Sequence, residues 1–119
     1  MTSAIDEAAD FGTVLAGGPT DGRRTVVFFR DFLGLTGGHL KVWHYFEHVR
    51  HSAGHVPLIA FSRRSRWDNG NPWTPLLAEG ARVSRVPRAD TLFVAGLDWL
   101  NVAREARARS RTPIINLLQ

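Results

Sequence analysis

The sequence predicts an α/β fold: an open, mostly parallel sheet with flanking helices, incomplete within these 119 residues. Three observations predict it. Short apolar runs at 25–29 ("TVVFF"), 55–62 ("HVPLIAFS"), 90–96 ("DTLFVAG") and 112–118 ("TPIINLL") do not alternate with polar residues, as strands buried on both faces do not. Segments with helical periodicity lie between the first two runs and between the last two. Strand, helix, strand, repeated once, calls for parallel pairing through right-handed crossovers.

Taken in order, residues 1–22 have little periodicity and end in "AGGPTDG", so they read as a mobile leader, with the domain spanning 23–119. The β-branched and aromatic run at 25–29 is the first strand. "RDFLGLTGG" follows as a loop broken by Gly34, Gly37 and Gly38. Residues 39–53 form a helix whose buried stripe is Val42, Tyr45, Phe46, Val49 and Ala53, with Thr36 or the glycines at its start and Gly54 at its end. After the strand at 55–62 comes a polar loop, "RRSRWDNGNPWTP". A half-turn and a short strand near 82–86 follow. The run at 90–96 leads into a helix with Asp98 as N-cap, an inner face of Leu100, Val102, Ala103 and Ala106, and Arg107 and Arg109 suiting its carboxyl-end dipole. The strand at 112–118 runs to the last residue. Ligands of open parallel sheets bind beyond the carboxyl ends of strands, so an N-terminal piece of a longer protein is expected.

Composition narrows the function classes. Fifteen basic and eleven acidic residues give a formal charge of +4, and Lys41 is the only lysine. Such a balance favours phosphate-bearing partners. The arginines are scattered, most densely at 63–66, 82–88 and 104–111, which reads as a solvated basic surface rather than a nucleic-acid footprint. The absence of cysteine excludes disulfides, thiolate zinc sites and a cysteine nucleophile. It suits a reducing cytosol, and a cytoplasmic location, including one peripheral at a membrane, is expected. No run of about 18 apolar residues exists to span a bilayer, and the acidic start is no secretory signal.

Four stretches carry candidate chemistry. In "RDFLGLTGG" the glycine pair allows backbone N–H groups to approach an anion at a helix start, but a tight βα turn accounts for it equally well. The spacing matches neither a dinucleotide fingerprint nor a P-loop. His39, next to the pair, is placed to act as a base or anion donor, or is a first-turn surface histidine. His44, His48 and His51 share one helical face, and H-Y-F-E-H is not a metalloprotease motif. They read as solvated, and no metal site is assigned. Asp98 and Trp99 offer a hydroxyl acceptor and a stacking face, or a helix cap and a core residue. The loop at 63–73 mixes arginines with two tryptophans, which suits nucleic acid, sugar or a lid.

"VVFFRDFLGLTGGHLKVWHYFEHV", then "PLIAFS", "LFVAGLDWL" and "TPIINLLQ", resembles the N-terminal Rossmann-like domain of GT-B glycosyltransferases over roughly residues 24–119. The resemblance implies sugar transfer from a nucleotide-diphosphate sugar to a hydroxyl acceptor, a sugar or a lipid-linked one, without metal or cofactor. It places Thr36, Gly37 and Gly38 near the donor phosphates, with His39 as the catalytic candidate. Arg30, Asp31, Asp98 and Trp99 fall on the acceptor side. The donor-binding elements of the family, including its E-x7-E-type motif, belong to a C-terminal domain absent from these residues, so the chain alone is expected to be inactive. Two other readings stand beside it: a stand-alone α/β module for a phosphorylated ligand or protein partner, and a basic nucleic-acid-binding domain.

Overall fold

A computed structural model of the chain describes residues 12–19, 21–34, 37–62, 64–83, 90–95 and 114–117. It is an α/β structure built on an open, mixed five-stranded sheet. The elements are β1 (Gly12–Ala16), β2 (Arg24–Phe29), α1 (Gly37–Arg50), β3 (His55–Ser62), α2 (Thr74–Ala78), β4 (Thr91–Ala95) and β5 (Ile114–Leu117). The strand order is β1-β3-β2-β4-β5, and every pairing is parallel except β1 with β3.

The continuous apolar runs account for the central strands. β2 lies between β3 and β4, with Val27 opposite Leu58 on one side and Leu92 on the other. Both faces of these strands are buried. Val26, Phe28, Ile59 and Phe61 point into one core, while Val27, Phe29, Leu58 and Ala60 on alternate positions are equally inaccessible. The strand expected at 55–62 is found with those bounds, and those expected at 25–29, 90–96 and 112–118 correspond to β2, β4 and β5.

One core is strongly aromatic. Trp73, fully buried, meets Trp43, Phe46 and Phe61 edge-on at centroid separations of 5.1, 5.8 and 5.5 Å. This packing turns α1. The inner stripe runs through His39, Val42, Trp43, Phe46 and Val49, whereas Tyr45 is 43% exposed. The expected stripe included Tyr45 and omitted Trp43. The helix rotates toward Trp73 because that tryptophan supplies the larger surface to bury. The helix also ends at Arg50, leaving Ala53 exposed in the turn that follows.

The expectation of a mobile leader through residue 22 fails for residues 12–16, which form β1 and pair residue for residue with β3, Leu15 against Ile59. Val14 and Leu15 are both buried, so this short strand is held by apolar contact on two faces. Gly17 then passes so close to Pro57 that a Cβ there would sit 2.6 Å from its ring, and its N–H donates to the Pro57 carbonyl at 2.7 Å. Residues 1–11 lie outside the described residues.

The loop after β3 contains a helix that periodicity did not reveal. α2 is one short stretch opened by Pro75 and closed by Gly80, whose φ of +73° suits glycine. The Gly80 N–H donates to Leu77 and the Ala81 N–H to Leu76, which satisfies the last carbonyls in a Schellman turn. The turn delivers Arg82 beside β1, where it forms a bridge with Leu15. Of the strand expected at 82–86, only Arg82 and Val83 fall within the described residues. The expected helix after β4 lies outside them. No helix among the described residues is long and apolar enough to cross a membrane.

Candidate functional site

From β2 the chain moves through α1 to β3 on one side, and β4 and β5 lie on the other. The connections therefore diverge between β2 and β4. In open α/β sheets such a divergence leaves a crevice at the carboxyl ends of the two strands, and ligands bind there. Here that end carries Arg30 and Asp31 after β2, the loop 62–66 after β3, and the head of α1.

Asp31 organises this end. Its carboxylate is buried and accepts bonds at both oxygens: Oδ1 from the Ser62 N–H at 2.5 Å and Ser65 Oγ at 2.9 Å, Oδ2 from Ser62 Oγ at 2.5 Å and Arg64 Nη2 at 3.4 Å. Ser65 Oγ in turn accepts the Phe32 N–H at 3.0 Å. The Arg66 N–H donates to the Phe32 carbonyl at 2.8 Å, and its Nη1 donates to the Leu33 carbonyl at 3.3 Å. The loop after β2 is thus stitched to the loop after β3 by both backbone and side-chain bonds. Hydrogen bonds to the ionised form of a buried carboxylate offset the cost of its burial.

The glycine pair stands at Gly37 and Gly38, and the helix starts on it rather than after it. The first backbone N–H groups of α1 have no partner within the helix, so this is the end at which partial positive charge collects. Thr36 lies outside the described residues. His39, in the first turn, is buried at 5% exposure rather than on the surface. Its Nε2 lies 3.0 Å from the Asp31 carbonyl oxygen. A carbonyl only accepts, so Nε2 carries the hydrogen. Phe32 meets the imidazole edge-on at 5.2 Å. Burial lowers the histidine below its ordinary 6.5, the Arg30 charge adds to that, and the bond to Asp31 opposes it. The ring is therefore mainly neutral at pH 7.

Of the sequence-derived candidates, Arg30, Asp31, Gly37, Gly38 and His39 come together here. Asp98 and Trp99 lie outside the described residues. Ser62, Ser65 and Arg64 complete the cluster, and no pattern in the sequence marks the serines, because a serine after a strand is common. The tryptophans of the 63–73 loop do not offer stacking faces. Trp73 is in the core, with its Nε1 unpartnered among the described residues, and Trp67 packs on Phe61 at 4.7 Å. Asn71, also buried, holds the loop by donating to the Arg66 carbonyl and accepting from the Trp73 N–H.

His44 and His48 on α1 and His51 in the turn after it are exposed, with His51 3.3 Å from Glu47. No group of three or more potential ligands gathers around a metal position among the described residues. A concavity of about 460 Å³ lies along α1, toward the amino ends of the strands, and is lined by Val26, Phe28, Tyr45, His48, Phe93 and Ile115 among others. It is apolar and lies away from the Asp31 cluster. The chain matches no protein family, no curated protein and no solved structure at a significant level.

Proposed function

We propose that the chain is the Rossmann-like, acceptor-side domain of a glycosyltransferase, acting with a donor-side domain to move a sugar from a nucleotide-diphosphate donor to a hydroxyl. One observation carries the reading. The glycine pair opens α1 directly beyond β2, at the end where the connections of β2 and β4 diverge. Backbone N–H groups of a glycine-led helix start can approach a diphosphate closely and favour its charge.

Three further features support it. Arg30, Arg64 and Arg66 gather at this end, and Asp31 is the one carboxylate of the cluster among the described residues, so the local balance there favours an anion. His39 is held largely neutral there, the state in which an imidazole can take a proton from an attacking hydroxyl. Leu33 and Leu40 are exposed near the same end and give an acceptor with an apolar part a surface to lie on. The sugar, the diphosphate and the acceptor are substrates, and the reading needs no metal or cofactor.

The test is a titration of the isotopically labelled chain with UDP and GDP, each against its nucleoside. Saturable amide shifts at Gly37, Gly38 and His39 that need the diphosphate, and that vanish in Gly38→Val, are expected. Equal responses to nucleoside and nucleoside diphosphate, or none at these amides, would overturn it.

A further inference from the structure

We propose that Asp31, just beyond β2 and anchored by its carboxylate to the end of β3, is the positioning residue of this site, fixing the orientation and tautomer of the His39 imidazole. The inference rests on the reading of His39 as the reactive group, and it concerns a residue that would touch neither donor nor acceptor through its carboxylate.

The argument is one of connected bonds. Four donors converge on the Asp31 carboxylate, three of them from Ser62 and Ser65 at 2.5–2.9 Å, and both serines belong to the carboxyl end of β3 and the loop beyond it. Ser65 Oγ also accepts from the next residue's N–H, that of Phe32, so the peptide joining Asp31 to Phe32 is pinned on both sides. That peptide presents the carbonyl which accepts from His39 Nε2. With the carbonyl fixed, Nε2 must bear the hydrogen, and in the neutral ring the lone pair is assigned to Nδ1. The imidazole of a site histidine is commonly set by the bond its other nitrogen makes. Here that bond is anchored to a neighbouring strand rather than to the helix carrying the histidine.

The carboxylate is specifically required. Both oxygens receive donors, so an amide in its place would turn an NH2 toward one of those donors. Asp31→Asn should therefore release the 31–32 peptide while barely changing side-chain volume. Ser65→Ala removes one bond to the carboxylate and the acceptor for the Phe32 N–H, a milder version of the same release. The charged group facing the ring is Arg30, and it is unchanged in both variants.

The experiment uses the full chain labelled with 15N at histidine. Long-range proton–nitrogen correlation reads each ring's tautomer and its titration. In the unaltered chain His39 is expected as a single Nε2–H species titrating below 6.5. In Asp31→Asn the signature should become a tautomer mixture and the midpoint should rise toward 6.5, because relief of burial, the largest cause of the lowering, outweighs loss of the Asp31 bond, which opposes it. Ser65→Ala should move both readings the same way by less, and it serves as the deciding variant if Asp31→Asn does not fold. An unchanged tautomer and midpoint in a folded variant, shown by intact β3 amide resonances, would overturn the proposal. The nucleotide titration on the same samples separates the two readings. Coupling of Asp31 to His39 without a diphosphate response supports the positioning role while removing the function assigned to the site.

Discussion

At the scale of single residues, His39 shows how burial converts an ordinary side chain into a reagent. Its ring sits against Phe32 and beneath the 31–32 peptide, so protonation is penalised in the folded chain and not in the unfolded one. The sign follows from proton counting. Between the lowered folded value and the unfolded 6.5, the unfolded chain binds more protons, so stability rises with pH through that window and falls as pH drops through it. His39→Gln keeps a donor for the Asp31 carbonyl and removes the titration. Urea midpoints measured on either side of about 6.5 should show a smaller loss on acidification for this variant than for the parent. Equal losses would mean that His39 is not buried as described.

At the scale of elements, the short segments carry information that periodicity cannot. β2, β3, β4 and β5 were legible because strands buried on both faces must be apolar throughout. α1 was legible because Val42, Phe46 and Val49 recur at helical spacing. Which neighbouring residue joined the stripe was not legible, since Tyr45 and Trp43 both suit it, and the choice fell to Trp73 from thirty residues away. β1 and α2 are five residues each, too short for a period to register, and their glycines and prolines read as loop. The glycine pair and His39 were visible as candidates. The serines that complete the cluster were not, because the need for them arises only when β2 and β3 lie side by side.

α2 depends on its terminus. Five residues cannot stand as an isolated helix, so its closing turn and its buried Leu76 must hold it. Gly80→Ala forces an L-residue into a left-handed conformation at a cost of about 1–2 kcal/mol. Its Cβ would meet nothing within 4 Å, so the loss is one of backbone conformation alone. A denaturation midpoint lowered by that amount, with Gly80→Asn falling between parent and Ala, is the expected result. Equal stability of all three chains would show that the turn does not require this conformation.

At the scale of the whole molecule, β1 decides how the sheet ends. It lies antiparallel along β3, and the stretch 81–83 covers part of its far side through bonds from the Ala16 N–H to Ala81 and from the Val83 N–H to Val14. Exposed strand edges invite pairing with other chains. A chain lacking residues 1–16 should therefore uncover the edge of β3, lose the buried Leu15, and scatter light as larger particles than the parent. A truncated chain of unchanged size and thermal midpoint would show that β1 is dispensable. The reversed direction of β1 also gives the sheet a polarity of growth. Next to β1 the ladder has already turned antiparallel and is partly occupied. Beside β5, the other outermost strand among the described residues, the rows still run parallel. A strand arriving there in the same sense must bring a crossover of a dozen residues or more. Lengthening this protein by design is thus a one-sided problem, soluble at β5 with a strand and its own covering helix, and not by a hairpin at the opposite margin.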